Sequence, residues 1–238
     1  KENERIYTIE NNVYRAQGVG IAQALDIIQK HGLSTEKRCK VIVTHLEVPE
    51  LSLTYHPNEC DTIGVADKRR WETSYEVGDS WDSIKKEKAK NSSRFKVDIL
   101  VYPQLSFKNL IITQIYQVLF TLNPAIEVSL WPGMKLTGQV IIPVYNDGYG
   151  YLQDKVHPGF ITLSQRFRLP YNIKGKATIG YFSADRYGAD LMLFYPFKDE
   201  RFSLEGRIGA VAIGYWNGFK LHYDTEFSTT WSLGGNFY

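Results

Sequence analysis

The sequence is poor in the features that mark several large protein classes. It has two cysteines, Cys39 and Cys60, in 238 residues. They permit one disulfide in an oxidising compartment and equally permit two buried thiols. There is no CxxC or HExxH and no His/Cys cluster, so neither a metal site nor a cofactor is expected. No apolar run reaches about 18 residues, which excludes a transmembrane helix but not a strand-built membrane protein. The formal charge of +2 argues against a dedicated nucleic-acid binder, which would carry a strongly basic face. The chain opens on Lys1 with neither Met nor an apolar leader, as in a processed mature chain or a fragment. What it has instead is aromatic residues, 16 Tyr, 12 Phe and 5 Trp, and 19 Gly spread along its length.

Residues 160–227 set the organisation. Ile161, Leu163, Phe167 and Leu169 share one parity, and Thr162, Ser164, Arg166 and Arg168 the other, with Gln165 breaking the pattern. From Ile173, Ala177, Ile179 and Tyr181 oppose Lys174, Lys176 and Thr178. From Phe219, Leu221, Tyr223 and Phe227 oppose Lys220, His222, Asp224 and Glu226. A period of two means strands, and the short polar turns between them mean antiparallel hairpins. Tyr187, Ala189, Leu191, Leu193, Tyr195 and Phe197 form one apolar face, and aromatics gather at strand ends: Tyr181, Tyr187, Tyr195, Phe197, Phe202, Tyr215, Trp216 and Phe219. A soluble antiparallel sandwich alternates in the same way. The girdle-like aromatics and the charges of one parity on successive strands favour an outer-membrane barrel.

Three regions follow. Residues 1–56 read as a small α/β (βαββ) module, with a helix through Ile21, Ala24, Leu25 and Ile28. Gly18 and Gly20 serve as its entry turn rather than as a dinucleotide loop, since the third glycine is missing. Residues 57–93, rich in charges of both signs, read as a polar linker or loop. Residues 94–238 read as a mainly β, antiparallel outer-membrane-type β-barrel of about 10–12 strands. Asn123-Pro124 and Pro132-Gly133 mark turns, and Asn146–His157 is a loop.

Gly180-Tyr181-Phe182, Arg186-Tyr187-Gly188-Ala189-Asp190 and Phe194-Tyr195-Pro196-Phe197 resemble the YjbH family of exopolysaccharide-biosynthesis proteins, which includes the GfcD capsule proteins. Glu10-Asn11-Asn12-Val13-Tyr14-Arg15 and Gly159–Leu169 are similar to the same family. The resemblance covers residues 10–30 and 157–224. It implies an outer-membrane β-barrel of Gram-negative bacteria that serves export or assembly of an extracellular polysaccharide. It also implies a periplasmic N-terminal module and periplasmic or lipoprotein partners of one secretion system. Members of that family are several times longer and carry two barrels, whereas this chain has room for one.

In a barrel, Arg166, Arg168, Lys174, Lys176, Asp190, Glu205, Arg207, Lys220, His222, Asp224 and Glu226 would line the lumen. There they would contact a polysaccharide, or pair with one another and plug a narrow barrel. A scaffold barrel anchoring a larger envelope complex is the alternative. A carbohydrate-active enzyme using Glu205, His222, Asp224 and Glu226 is less favoured, because lumen charges show that pattern without chemistry. No catalytic role is expected.

Overall fold

The alternation from residue 94 onward folds as a long antiparallel meander, and the N-terminal stretch folds as a separate small sheet. The computed structural model describes residues 4–31, 38–55, 71–84, 94–111, 114–182, 185–197 and 201–237. Cys60 lies outside them. Cys39 is fully buried in the small sheet.

The small sheet has the order β1-β2-β3-β4. Strand β1 (Glu4–Glu10) runs parallel to β2 (Arg38–His45), and α1 (Gln17–His31) lies between them in the chain, as a parallel pair requires. Ile21, Leu25 and Ile28 recur at helical spacing and pack on Cys39, Val41, Val43, Leu53 and Tyr55. Strand β3 (Val48–Tyr55) completes the expected βαββ unit. A fourth strand, β4 (Trp71–Ser74), and a short helix, α2 (Gly78–Ile84), come from the stretch read as a polar linker. Trp71 supplies the reason: its ring packs on Tyr55 at 5.1 Å and extends the core.

The large sheet runs β5 (Val97–Ile111), β6 (Gln114–Ser129), β7 (Met134–Asp147), β8 (His157–Arg168), β9 (Lys174–Phe182), β10 (Arg186–Pro196) and β11 (Phe202–Asn217). Two short strands, β12 (Lys220–Tyr223) and β13 (Ser228–Phe237), pair with successive parts of β11 and share the last sheet position. The described residues from 94 onward therefore hold nine strands rather than 10–12, because β6 and β11 each run for 16 residues. Asn123-Pro124 is not a turn. It lies inside β6, where Asn123 Nδ2 donates to Gln104 Oε1 at 3.0 Å across the β5–β6 pair. The edge strands β5 and β13 are not paired with each other, so no closed barrel forms among the described residues. The strand expected through Phe227 stops at Tyr223, which leaves Asp224 and Glu226 outside regular structure.

The covered face of this sheet is the polar one. Asn123 (3% exposed), Thr121 (4%) and Ser164 (7%) are buried, while Ile208 (53%), Ile99 (74%) and Trp231 (81%) on the opposite parity are open. The same polarity division reaches both edges, although at β5 and β13 the polar face is largely exposed as well. On β5, Ile99, Val101, Leu105 and Phe107 share the apolar face with Ile126, Phe120 and Val118 of β6. On β13, Trp231 and Leu233 lie opposite Ile208 and Gly206 on that same face. Gly180 and Gly188 face each other across β9 and β10 at φ of +137° and +151°. A Cβ at either would collide with a neighbouring carbonyl oxygen, of Ile161 or Ala210.

Gly188→Ala is expected to lower stability by more than about 1 kcal/mol, since alanine must adopt a positive φ and displace a backbone carbonyl. Gly206→Ala, where a Cβ meets nothing nearer than 4.0 Å, is expected to change it by less than about 0.5 kcal/mol. Urea denaturation of the two variants compares them, and equal midpoints would refute the account of the glycine pair.

Candidate functional site: a cationic seam between module and sheet

Seven of the eleven side chains expected to line a lumen do share the polar face. Register places them on three adjacent rungs across β8–β11. Arg168 and Lys174 lie directly opposite, followed by Phe194 and Glu205. Arg166 and Lys176 form the next rung with Met192 and Arg207. Asp190 stands on the third, beside Thr178. Asp190 accepts a bond from Arg207 Nε at 2.6 Å.

The other four side chains sit elsewhere. Lys220 and His222 pair with Asn217 and Tyr215 at the far end of β11, where the His222 ring stacks on Tyr215 at 5.1 Å. Asp224 Oδ1 accepts the Glu226 N–H at 3.3 Å, and the Asp224 carbonyl accepts from Tyr187 Oη. At the rise of an extended strand, Glu205 is about 33 Å from Tyr215, the partner of His222. That separation leaves Glu205 and the His222–Glu226 group unable to act on one glycosidic bond.

The small sheet docks on this cationic end through its β2–β3 hairpin. Leu46 and Glu47 form the turn with φ of 53° and 61°, the doubly left-handed geometry of a tight hairpin normally built from Asn or Gly. The Glu10 carboxylate holds it by accepting the Leu46 N–H at 2.9 Å and the Glu47 N–H at 3.2 Å. The Leu46 carbonyl then accepts the Gly133 N–H at 2.7 Å, and the Gly133 carbonyl accepts the Arg166 N–H at 2.7 Å. Gly133 sits at φ +78°, where a Cβ would meet the Arg166 carbonyl. Arg94 pairs with Glu47 at 3.2 Å, and Arg166 with Glu50 at 3.3 Å.

Arg168 is the anchor. Its Nη1 donates to the carbonyls of Pro49 (3.1 Å) and Glu50 (3.3 Å), and its Nη2 to the Tyr75 carbonyl and Asn172 Oδ1. Tyr75 reaches across the seam to Phe194, ring centres 6.1 Å apart, and Lys174 Nζ lies 4.5 Å over the Tyr75 ring. Gln165, which broke the alternation, latches the β6–β7 turn. Its side chain accepts from Trp131 Nε1 at 3.0 Å and donates to the Pro132 carbonyl at 3.0 Å.

No family model, curated protein or solved structure matches the chain. Sequence reading missed the contributions of Glu10, Glu50, Tyr75 and Phe194, because a contact between two sheets has no periodicity to reveal it.

His45, at the end of β2, is held below the usual histidine range, first by burial and then by the Arg166 charge, against weaker opposing effects of Glu50 and Glu10. Lys135 adds a smaller like-charge effect. With the folded value lowered, unfolding takes up a proton below about pH 6.5. Stability is complete above that pH and is lost as pH falls toward the folded value. His45→Gln is expected to flatten the stability difference between about pH 7.5 and about pH 5.5, measured by urea midpoints. An unchanged slope in the variant would exclude His45 as its source.

Proposed function

We propose that the chain is an outer-membrane β-barrel protein for export or assembly of an extracellular polysaccharide, with its small α/β module on the periplasmic side and no catalytic chemistry. The observation that carries this reading is the inverted sheet. A continuous apolar face left open on one side and a covered polar face on the other suit lipid outside and a wet interior. Among the described residues no helix is long and apolar enough to cross a membrane.

Strands of 9–16 residues suffice to cross the hydrocarbon layer when tilted. The apolar band is bounded by aromatics at both ends. Tyr195–Phe197 and Phe202–Phe237 lie at the module end, and Tyr187–Tyr223 and Tyr187–Phe227 at the other. Such paired belts match the two interfaces of a bilayer. The longest connection, 148–156 with its 3₁₀ turn Tyr151–Asp154, is at the end opposite the module, while the other connections at both ends are short. Eight sheet positions make β5 and β13 antiparallel, the relation that closure needs. The polysaccharide assignment follows from the resemblance to the YjbH family and from the polar, cationic interior.

Two outcomes test the membrane reading. The native protein is expected in the outer-membrane fraction with a boiled-versus-unboiled mobility shift on a detergent gel, whereas a soluble protein without a shift would overturn it. Ile208→Arg on the lipid-facing parity is expected to cost about 2–4 kcal/mol in a bilayer, while Thr178→Arg, beside Asp190 on the polar face, costs little. The comparison is made by denaturation in vesicles, and the reverse order would invert the assignment of faces.

A further inference from the structure

We infer that the seam between module and sheet binds a carboxylate-bearing glycan, with Lys174 and Lys176 taking the acidic groups. This inference rests on the polysaccharide reading and names the substrate class that reading leaves open. Two successive cross-strand pairs, Arg168 with Lys174 and Arg166 with Lys176, set cations directly opposite each other on one face. Like charges in that relation repel. Of the nearby carboxylates, Glu127 pairs with Lys135 at 2.9 Å and Asp190 with Arg207 at 2.6 Å, while Glu205 stands two strands away from Lys174 on its rung. Glu50 from the module pairs with Arg166 and neutralises one of the four charges.

Arg168 directs its donors to neutral oxygens, so its bonds are satisfied without a carboxylate of its own, and the one Glu50 charge is shared among Arg166, Arg168 and Lys174. Among the described residues, neither Lys174 nor Lys176 has a carboxylate within ion-pair distance, and both are half-buried. Half-buried cations in excess of their anions are costly to hold unless an anion joins them. Tyr75 and Phe194 wall the cluster and hold the Lys174 ammonium, 4.5 Å over one ring and 5.7 Å over the other, where it can meet an arriving carboxylate. An ammonium on a flexible stem takes a carboxylate as a point charge without demanding one fixed angle, as befits a chain that must move on.

The test is titration calorimetry of the full chain in detergent with galacturonate oligomers, and with neutral galactose oligomers of equal length. The acidic oligomer is expected to bind at least roughly tenfold tighter than the neutral one, and the double variant Lys174→Gln/Lys176→Gln to lose roughly tenfold of that affinity. Lys174→Arg/Lys176→Arg keeps the charge and is expected to retain binding, which separates a lost site from a lost fold. Equal affinity for acidic and neutral oligomers, an unaffected Gln variant, or inorganic phosphate binding as tightly as the oligomer would each overturn the inference. The heat-induced gel shift is recorded on the same preparations. A shifting protein without acidic preference sinks this inference alone. Acidic preference without a shift sinks the membrane reading and leaves the site standing.

Discussion

The structure depends on the inversion of polarity across the large sheet. Burying apolar surface drives folding in water, yet here Thr121, Asn123 and Ser164 are covered while Ile99, Ile208 and Trp231 are not. Water alone would penalise that choice on every strand. A surrounding that is itself apolar removes the penalty and replaces it with another rule, that each backbone N–H and C=O must be met inside the sheet. The long strands of the antiparallel ladder from β5 to β11 follow that rule away from two register shifts, at Phe120/Thr121 and Gly138/Val140, and from the sheet's edges. The break between β12 and β13 falls at the far end of the sheet, next to the Tyr187, Tyr223 and Phe227 rings.

The second constraint is electrostatic. Four cations on two rungs would push β8 and β9 apart if nothing answered them. The small sheet supplies part of the answer. Its hairpin delivers Glu50 to Arg166, while the carbonyls of Pro49, Glu50 and Tyr75 meet Arg168, and its Tyr75 ring lies beneath Lys174. Docking and charge compensation are therefore one event. The strained Leu46–Glu47 turn is the geometric cost, and Glu10, distant in the chain yet adjacent in the sheet, holds it in place.

Much of the large sheet was legible because period-two alternation reports which face a residue takes, whatever lies beyond that face. The parity of Arg166, Arg168, Lys174, Lys176, Asp190, Glu205 and Arg207 follows from that rule alone. It failed where the chain leaves the ladder: parity carried Asp224 and Glu226 onto a strand that ends at Tyr223. Turn chemistry misled at Asn123-Pro124, because Asn123 is held within β6 by Gln104. The glycines inside the family-like segments, Gly180 and Gly188, show why such positions tolerate no side chain only once the strands are paired. Strand β4 was invisible for the opposite reason, since one Trp71 ring on Tyr55 decides its place amid polar neighbours.

The sharing of cations between docking and the proposed ligand has a mechanical consequence on that reading. An acidic chain at Lys174 and Lys176 adds negative charge within reach of Arg166, and so weakens the relative advantage of Glu50, a half-exposed pair at 3.3 Å that contributes little by itself. Arg168 is bound to neutral carbonyls, and an anion beside it strengthens its hold on the rung without competing for the same donors. The two arginines would thus respond differently to one ligand: Arg166 exchanging partners and Arg168 staying fixed. The module's contacts to the sheet are thus of two kinds, one ion pair open to exchange at Glu50 and fixed neutral bonds at Arg168 and Gly133.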